Sequence, residues 1–419
     1  MGGRGVISRL SIGADAAATA TALEALWAEG SLVGLASPPD WSALAAALPP
    51  RLGTPSPWGP GVVIASGGSS GRRGWCVQPL AGLERAAAAA ALWLQAQGLD
   101  PASATVFNPL PLQHVSGLMP LVRGRRWGAE LRWLEPALMR EPEALAGRAP
   151  LPDSGAALLS LVPTQLQRLL GDPAGIAWLR GFAVVWIGGA ALAPALAAAA
   201  RRAGVPLSPC YGSTETGAMV TALAPGRFLA GEGGCGHPLA HAQVRLDPAS
   251  GALQVKATSL SPGAFDAGAF QPLEAPEGWW SSGDGGRLSP AGLELLGRLD
   301  GALSSGGETV FPEEVEGRLR ALAAAADLPL QAVLVLGQND PLWGQRLVAL
   351  VRAQSGADAS ALVAALERVA AVLPPAQRPR SWLLCPELAP NGLGKWERGR
   401  WGRWLREAPR NASSDGLTQ

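Results

Sequence analysis

The run Phe182-Ala-Val-Val-Trp-Ile187 passes without a charge into Gly188-Gly189 and then into an alanine-rich stretch. A short apolar, β-branched run ended by glycine reads as a strand buried on both faces, and the alanines behind it favour helix. The same rhythm recurs. Gly61-Val-Val-Ile-Ala65 leads into a glycine-rich loop, Thr105-Val-Phe107 is a short strand, and Leu158-Leu-Ser-Leu-Val162 precedes a helix from Pro163 to about Leu170. Val205 to Tyr211 is a further strand. Strands followed by helices constrain the first two-thirds of the chain to an α/β core built of parallel-sheet layers, with ligand loops at the strand ends. From Ala242 to about Leu288 short alternating strands with many turns replace this rhythm and predict a small β subdomain.

A second change comes near Asp300. Phe311-Pro-Glu-Glu-Val-Glu316 opens a helix with acids in the first turn, where the helix dipole favours them. Ala332 to Leu336 and Arg346 to Val351 read as paired strands, Ala361 to Leu373 as an amphipathic helix, and Trp382 to Leu384 as a last short strand. The expected organisation is a large N-terminal α/β domain over 1–299, a small α+β C-terminal domain over 300–410, and a polar, disordered tail over 411–419.

Bulk properties narrow the partners. A formal net charge of +1 and the lack of any basic run give no electrostatic footprint for nucleic acid. No apolar run reaches the roughly 18 residues of a membrane span; Ala86 to Leu92 reads as the middle of an alanine-rich helix. Cys76, Cys210, Cys235 and Cys385 are scattered without a CxxC pair, which predicts reduced thiols and a cytoplasmic setting. The oligomeric state stays open, a homodimer among the options.

Several segments carry chemistry. Ala65-Ser-Gly-Gly-Ser-Ser-Gly-Arg-Arg-Gly74 follows a strand, and its glycines and hydroxyls suit either a phosphate chain or a flexible connector. It lacks the lysine and following hydroxyl of a Walker A loop. Cys210-Tyr-Gly-Ser-Thr-Glu-Thr216 presents an aromatic for a purine, hydroxyls for phosphate oxygens and a carboxylate for Mg²⁺ within a few residues. Tyr211 is the only tyrosine in the chain. Trp279-Trp280-Ser-Ser-Gly-Asp284 sets a carboxylate in a turn, as recognition of a ribose diol requires, and Gly297-Arg-Leu-Asp300 follows. Lys256 and Lys395 are the only lysines among 34 basic residues. A compact ammonium on a flexible stem fits between two oxygens of a crowded centre better than a planar guanidinium does. Lys395 sits in Asn391-Gly-Leu-Gly-Lys395.

In this order and at these separations the segments resemble the acyl-adenylate-forming superfamily, from about Val62 to Arg400. The resemblance implies an acyl-CoA synthetase-like fold, with ATP, Mg²⁺ and coenzyme A as reactants and a small carboxylic acid as substrate. It implies that Ser66, Gly67, Ser69, Ser70, Gly71 and Arg73 hold the pyrophosphate end of ATP, and that Gly188, Gly189 and Ala190 line the adenine site. Tyr211, beside Gly212, would stack on adenine, Thr214 would contact the α-phosphate, and Glu215 would bind Mg²⁺. Asp284 and Arg298 would hold the ribose, Asp300 would be the hinge, and Lys395 the catalytic lysine. Gly306 and Gly307 would line the channel of the thiol, and His114, in Pro111-Leu-Gln-His-Val-Ser-Gly117, would lie beside the acyl pocket. There are departures: Arg72-Arg73-Gly74 replaces the usual Pro-Lys-Gly, and Gly68 stands where a hydroxyl is usual. The stretch ahead of the loop is short beside the family's, so some flanking structure is expected to be trimmed.

Within the superfamily, Leu159-Ser-Leu-Val-Pro-Thr-Gln-Leu-Gln-Arg-Leu-Leu170 and the compact length are most similar to o-succinylbenzoate–CoA ligases. Another aryl- or short-acyl-CoA ligase, or a non-catalytic nucleotide-binding relative, is the alternative. For the ligase, donors for the acid are expected from His114, Ser116, Thr164 and Gln165. Lys395→Ala is expected to cut acyl-adenylate formation by on the order of 10²–10³ while largely sparing thioester formation from a supplied acyl-adenylate. Separate assays of pyrophosphate release and thioester formation check this, and equal loss in both counts against a lysine serving one half-reaction.

Overall fold

The computed structural model describes residues 8–13, 15–49, 56–66, 74–390 and 396–407. Its contacts divide the chain into two units, Met1–Leu296 and Gly297–Gln419. The tail over 411–419 lies outside the described residues.

The first unit holds two large sheets with helices between and outside them. One sheet runs Ser8–Ser11, Leu32–Ala36, Gly61–Ala65, Trp75–Pro79, Gly263–Asp266, Ala269–Pro272 in spatial order. Its first three strands are parallel and the rest antiparallel. The other runs His237–Pro238, Ala218–Ala222, Leu207–Ser213, Val184–Ile187, Ala157–Leu161, Thr105–Asn108, Glu130–Trp133. Five adjacent strands of this second sheet, from Leu207–Ser213 to Glu130–Trp133, are parallel. Residues along these strands alternate between two cores, as a pleated sheet covered on both faces requires. Leu158, Val184 and Trp186 face one core, whereas Leu159, Leu161, Val185 and Ile187 face the other.

Helix Leu80–Gln95 occupies the layer between the sheets. Leu80, Leu83, Ala86 and Ala87 pack towards Val62 and Ile64 of the first sheet, while Ala89, Ala90 and Leu94 pack towards Val106 and Val184 of the second. Alanine serves twice here. It is the best helix former, and its single methyl lets backbone approach from both sides.

The expectation of a β subdomain spanning Ala242 to Leu288 needs correction. The four-stranded sheet is Ala242–Leu246, Ala252–Ala257, Trp280–Ser289 and Gly292–Arg298. The hairpin Gly263–Asp266/Ala269–Pro272 leaves it and extends the first large sheet by pairing with Trp75 and Cys76. Phe265 explains the choice: it is buried in the cluster that holds Trp75 and makes an edge contact with Trp58 at 6.0 Å.

In the second unit, Gly344–Ala353 pairs with Leu330–Asp340 and Leu303–Ser305 antiparallel and with Ser381–Leu384 parallel, and Glu308–Val310 lies at the edge. Helices Pro312–Ala325 and Ala359–Ala370 bury Val315, Leu319, Leu362 and Leu366 against it. Helix Arg398–Glu407 buries Trp401 with Leu334, Leu336, Val348 and Leu350. A buried ion cluster joins these parts. Glu316 is 2 % exposed, and its Oε1 accepts the Val335 N–H at 2.8 Å and lies 2.9 Å from Arg398 Nη1. Arg320 reaches Oε2 at 3.4 Å, and Arg398 also meets Glu313 at 3.0 Å. Burial pushes the Glu316 carboxyl upward, and the Arg398 charge pulls it back.

Among the described residues no helix is long and apolar enough to cross a membrane. Removing one partner of a buried ion pair leaves the other uncompensated. Arg398→Met is therefore expected to destabilise the second unit by about 3 kcal/mol, with the Glu316→Leu/Arg398→Met pair recovering part of the loss. Denaturant titrations of the three proteins check both statements.

Candidate functional site

The parallel strands of the second sheet bring their loops to one edge. After Leu207–Ser213 the chain turns through Thr214 to Gly217 and returns as Ala218–Ala222, with Gly212 opposite Met219 and Ser213 opposite Ala218. Gly212 is required by proximity: a Cβ there would stand 1.9 Å from the Ala218 carbonyl oxygen. Thr216, fully buried, staples the turn, its hydroxyl accepting the Ser213 N–H at 2.9 Å and donating to the Ala218 carbonyl at 2.6 Å.

The three carbonyls inside this turn are each held from outside it. Gln78 Nε2 donates to the Thr214 oxygen, the Ser261 N–H to the Glu215 oxygen at 2.8 Å, and the Ser259 hydroxyl to the Thr216 oxygen at 2.6 Å. With the backbone so committed, the side chains of Thr214 and Glu215 remain half-buried at the sheet edge. Burial and, second to it, the Glu215 charge push the thiol of nearby Cys76 up to about 12.

Tyr211 and Asp284 meet. The phenol donates to Asp284 Oδ2 at 2.6 Å, a short charge-assisted bond, and the ring is buried beside Val220, Leu253 and Leu293. Ser282 sets the carboxylate's turn: its hydroxyl donates to the Leu253 carbonyl at 3.0 Å and accepts the Asp284 N–H at 3.1 Å. The sequence placed both residues in a nucleotide site, but their mutual bond could not be read from a chain separation of 73 residues.

Gly188, Gly189 and Ala190 follow strand Val184–Ile187, and the Cys210 thiol donates to the Ile187 carbonyl at 3.4 Å, beside Gly188. His114 is exposed and immediately precedes helix Val115–Trp127, whose first turn is tied to the strand end by Asn108 Nδ2 donating to the Gly117 carbonyl at 2.8 Å. Gln165 spends its Oε1 on the Val162 N–H at 3.1 Å, closing the start of helix Pro163–Leu170, so that oxygen is committed to the fold. Ser66 donates its N–H to the Gly74 carbonyl at 2.8 Å across the mouth of the glycine/serine loop. Gly67, Ser69, Ser70, Gly71 and Arg73 lie outside the described residues, as does Lys395.

Arg298, Asp300, Gly306 and Gly307 belong to the second unit. Arg298 grips Asp300 with two parallel bonds, Nη2 to Oδ2 at 3.1 Å and Nε to Oδ1 at 3.2 Å. Gly306 and Gly307, with φ of 59° and 82°, form the two-residue turn between Ser305 and its partner Glu308. That is the left-handed pair a tight hairpin demands, and a Cβ on Gly306 would also strike the Trp343 ring at 2.6 Å.

One residue escaped the sequence reading. Arg123 is 4 % exposed, with its guanidinium 4.4 Å from the centroid of the Trp186 ring. Its Nε has no hydrogen-bond partner, and no carboxylate among the described residues pairs with it. Burial lowers its pKa to about 10, so it stays protonated near neutral pH. A signal was available: Met119, Arg123 and Trp127 share one helical stripe, and both flanking members are apolar and buried. A separate cavity of about 560 Å³, lined by Ser103, Thr105, Glu130, Arg132 and Asp153, lies at the opposite ends of the strands and contains none of the motif residues.

Residues 11–258 match the AMP-binding enzyme family. The 2-succinylbenzoate–CoA ligase of Salmonella typhimurium is 32 % identical over 304 residues, 72 % of this chain and 60 % of that protein. The probable 2-succinylbenzoate–CoA ligase of Mycobacterium tuberculosis H37Rv is 31 % identical over 295 residues, 69 % of this chain and 71 % of that one. Thus the chain spans only about three-fifths of the length of the Salmonella ligase. Among solved structures, Escherichia coli MenE with a bound m-phenylether-linked analogue of OSB-AMS matches with a TM-score of 0.61 at 28 % identity, over 82 % of this chain and 69 % of that one. Bacillus subtilis o-succinylbenzoate CoA synthetase, in complex with the acyl-adenylate intermediate OSB-AMP, shares the fold with a TM-score of 0.72 at 19 % identity, over 98 % and 89 % of the two chains. The chain belongs to the AMP-binding enzyme family.

Proposed function

We propose that this chain is an ATP-dependent, AMP-forming acid–CoA ligase that activates o-succinylbenzoate, a cytoplasmic step of menaquinone or phylloquinone synthesis. The Tyr211–Asp284 hydrogen bond carries the reading. It joins an aromatic and a carboxylate at the carboxyl edge of a parallel sheet, where open α/β sheets take nucleotides. In this reading Tyr211 packs adenine and holds Asp284 ready for the ribose diol, Gly188, Gly189 and Ala190 line the base, and Thr214 meets the α-phosphate. The glycine/serine loop holds the pyrophosphate end.

Among the described residues no cluster of three or more acids, histidines or cysteines would hold a metal unaided. That suits Mg²⁺, which typically binds through one or two carboxylates together with substrate phosphates, and Glu215 on its braced turn is the fitting carboxylate. Bound there, Mg²⁺ would neutralise phosphate charge. A carboxylate oxygen of the acid attacks the α-phosphorus and pyrophosphate leaves. The Lys395 ammonium stabilises the charge that develops on the surrounding oxygens. The CoA thiol, losing its proton, then attacks the acyl carbon, and AMP departs with the electron pair of the broken acyl–oxygen bond of the mixed anhydride.

o-Succinylbenzoate carries a second carboxylate that does not react, and a buried cation without an acid partner is what its pocket needs. Arg123 supplies one. With ATP and CoA, o-succinylbenzoate is expected to give a higher kcat/KM than benzoate or medium-chain fatty acids. Arg123→Gln is expected to raise KM for o-succinylbenzoate about 10- to 100-fold, as losing a charged hydrogen bond implies, and to leave KM for benzoate unchanged. A better kcat/KM with benzoate or a fatty acid rules out the quinone-pathway substrate.

A further inference from the structure

We propose that Gln78 is a positioning residue for the adenylation step, locking the strand that leaves the glycine/serine loop to the turn that carries Thr214 and Glu215. The inference rests on the ligase reading above and deepens it. Gln78 is fully buried on strand Trp75–Pro79, four residues beyond Gly74 at the end of the loop, and its Nε2 donates to the Thr214 carbonyl across 136 residues of chain. Its Oε1 is enclosed without a partner. Leaving a buried amide oxygen unmet is unfavourable, so packing alone would favour an apolar residue of the same shape. What the amide provides instead is a fixed distance between two segments.

The neighbouring carbonyls show why one bond matters. Ser261 and Ser259 hold the Glu215 and Thr216 oxygens from the segment after strand Ala252–Ala257. Ser261 also donates its hydroxyl to the Val77 carbonyl at 2.7 Å, which brings that segment onto the same strand as Gln78. Among the described residues Gln78 makes the one direct side-chain bond from that strand to the turn. It therefore sets the register between the turn that carries Thr214 and the strand that follows the glycine/serine loop. An in-line displacement is sensitive to that register, because a misplacement of about 1 Å can cost on the order of 10² in rate. The second half-reaction starts after pyrophosphate has gone and makes no such demand.

The test separates the half-reactions. Gln78→Leu is expected to slow pyrophosphate release about 10- to 100-fold, with thioester formation from supplied acyl-adenylate within about twofold of wild type. In Gln78→Glu the side chain donates only while protonated, so pyrophosphate release should fall as pH rises, along a limb missing from the wild-type profile. A folded Gln78→Leu protein that keeps the wild-type adenylation rate, or loses both half-reactions equally, overturns the proposal. If Gln78→Leu does not fold, a Gln78→Glu profile parallel to wild type overturns it. Wild-type protein that releases no pyrophosphate with any acid overturns the ligase reading and the Gln78 inference together.

Discussion

Parallel pairing is the constraint from which the rest of the first unit follows. Strands Thr105–Asn108, Ala157–Leu161, Val184–Ile187 and Leu207–Ser213 run the same way in adjacent register, so the loops leaving them must collect at one edge. Each return journey then needs a helix on one sheet face or the other, and both faces are buried as a result. That burial dictates the uninterrupted apolar runs. It also explains why polar groups inside the layers, such as Gln78 and Arg123, stand out: the surrounding structure has no general use for them.

The second unit is held by different means. Its sheet is largely antiparallel and its strands are long, yet its C-terminal helix is fastened by Arg398 to Glu316, Glu313 and the Val335 carbonyl. Such a fastening is directional in a way that Trp401 in its apolar socket is not, because bonds to three partners fix rotation as well as contact.

Much of this was legible in the sequence, and the limits follow one physical line. Runs such as Val184–Ile187 and Ala332–Leu336 announce strands through local composition, and Pro163 and Pro312 mark helix starts because proline suits a first turn. Partnership across the chain is another matter. Nothing local says that Phe265 will seek Trp75 and carry its hairpin to another sheet, or that the Tyr211 hydroxyl will find Asp284. Gln165 is a donor candidate toward the acid through its Nε2, and nothing local says that its oxygen completes its own helix start. The burial of Arg123 shows only when the helical stripe from Met119 to Trp127 is traced.

The bond between Tyr211 and Asp284 has a spectroscopic consequence. Tyr211 is the one tyrosine among 419 residues, so an isotope placed in tyrosine rings labels this site and nothing else, clear of the 16 tryptophans. A ring enclosed by Val220, Leu253 and Leu293 and tethered at its far end can flip only when that packing loosens. Its resonances therefore give a built-in gauge of how often the strand edge breathes.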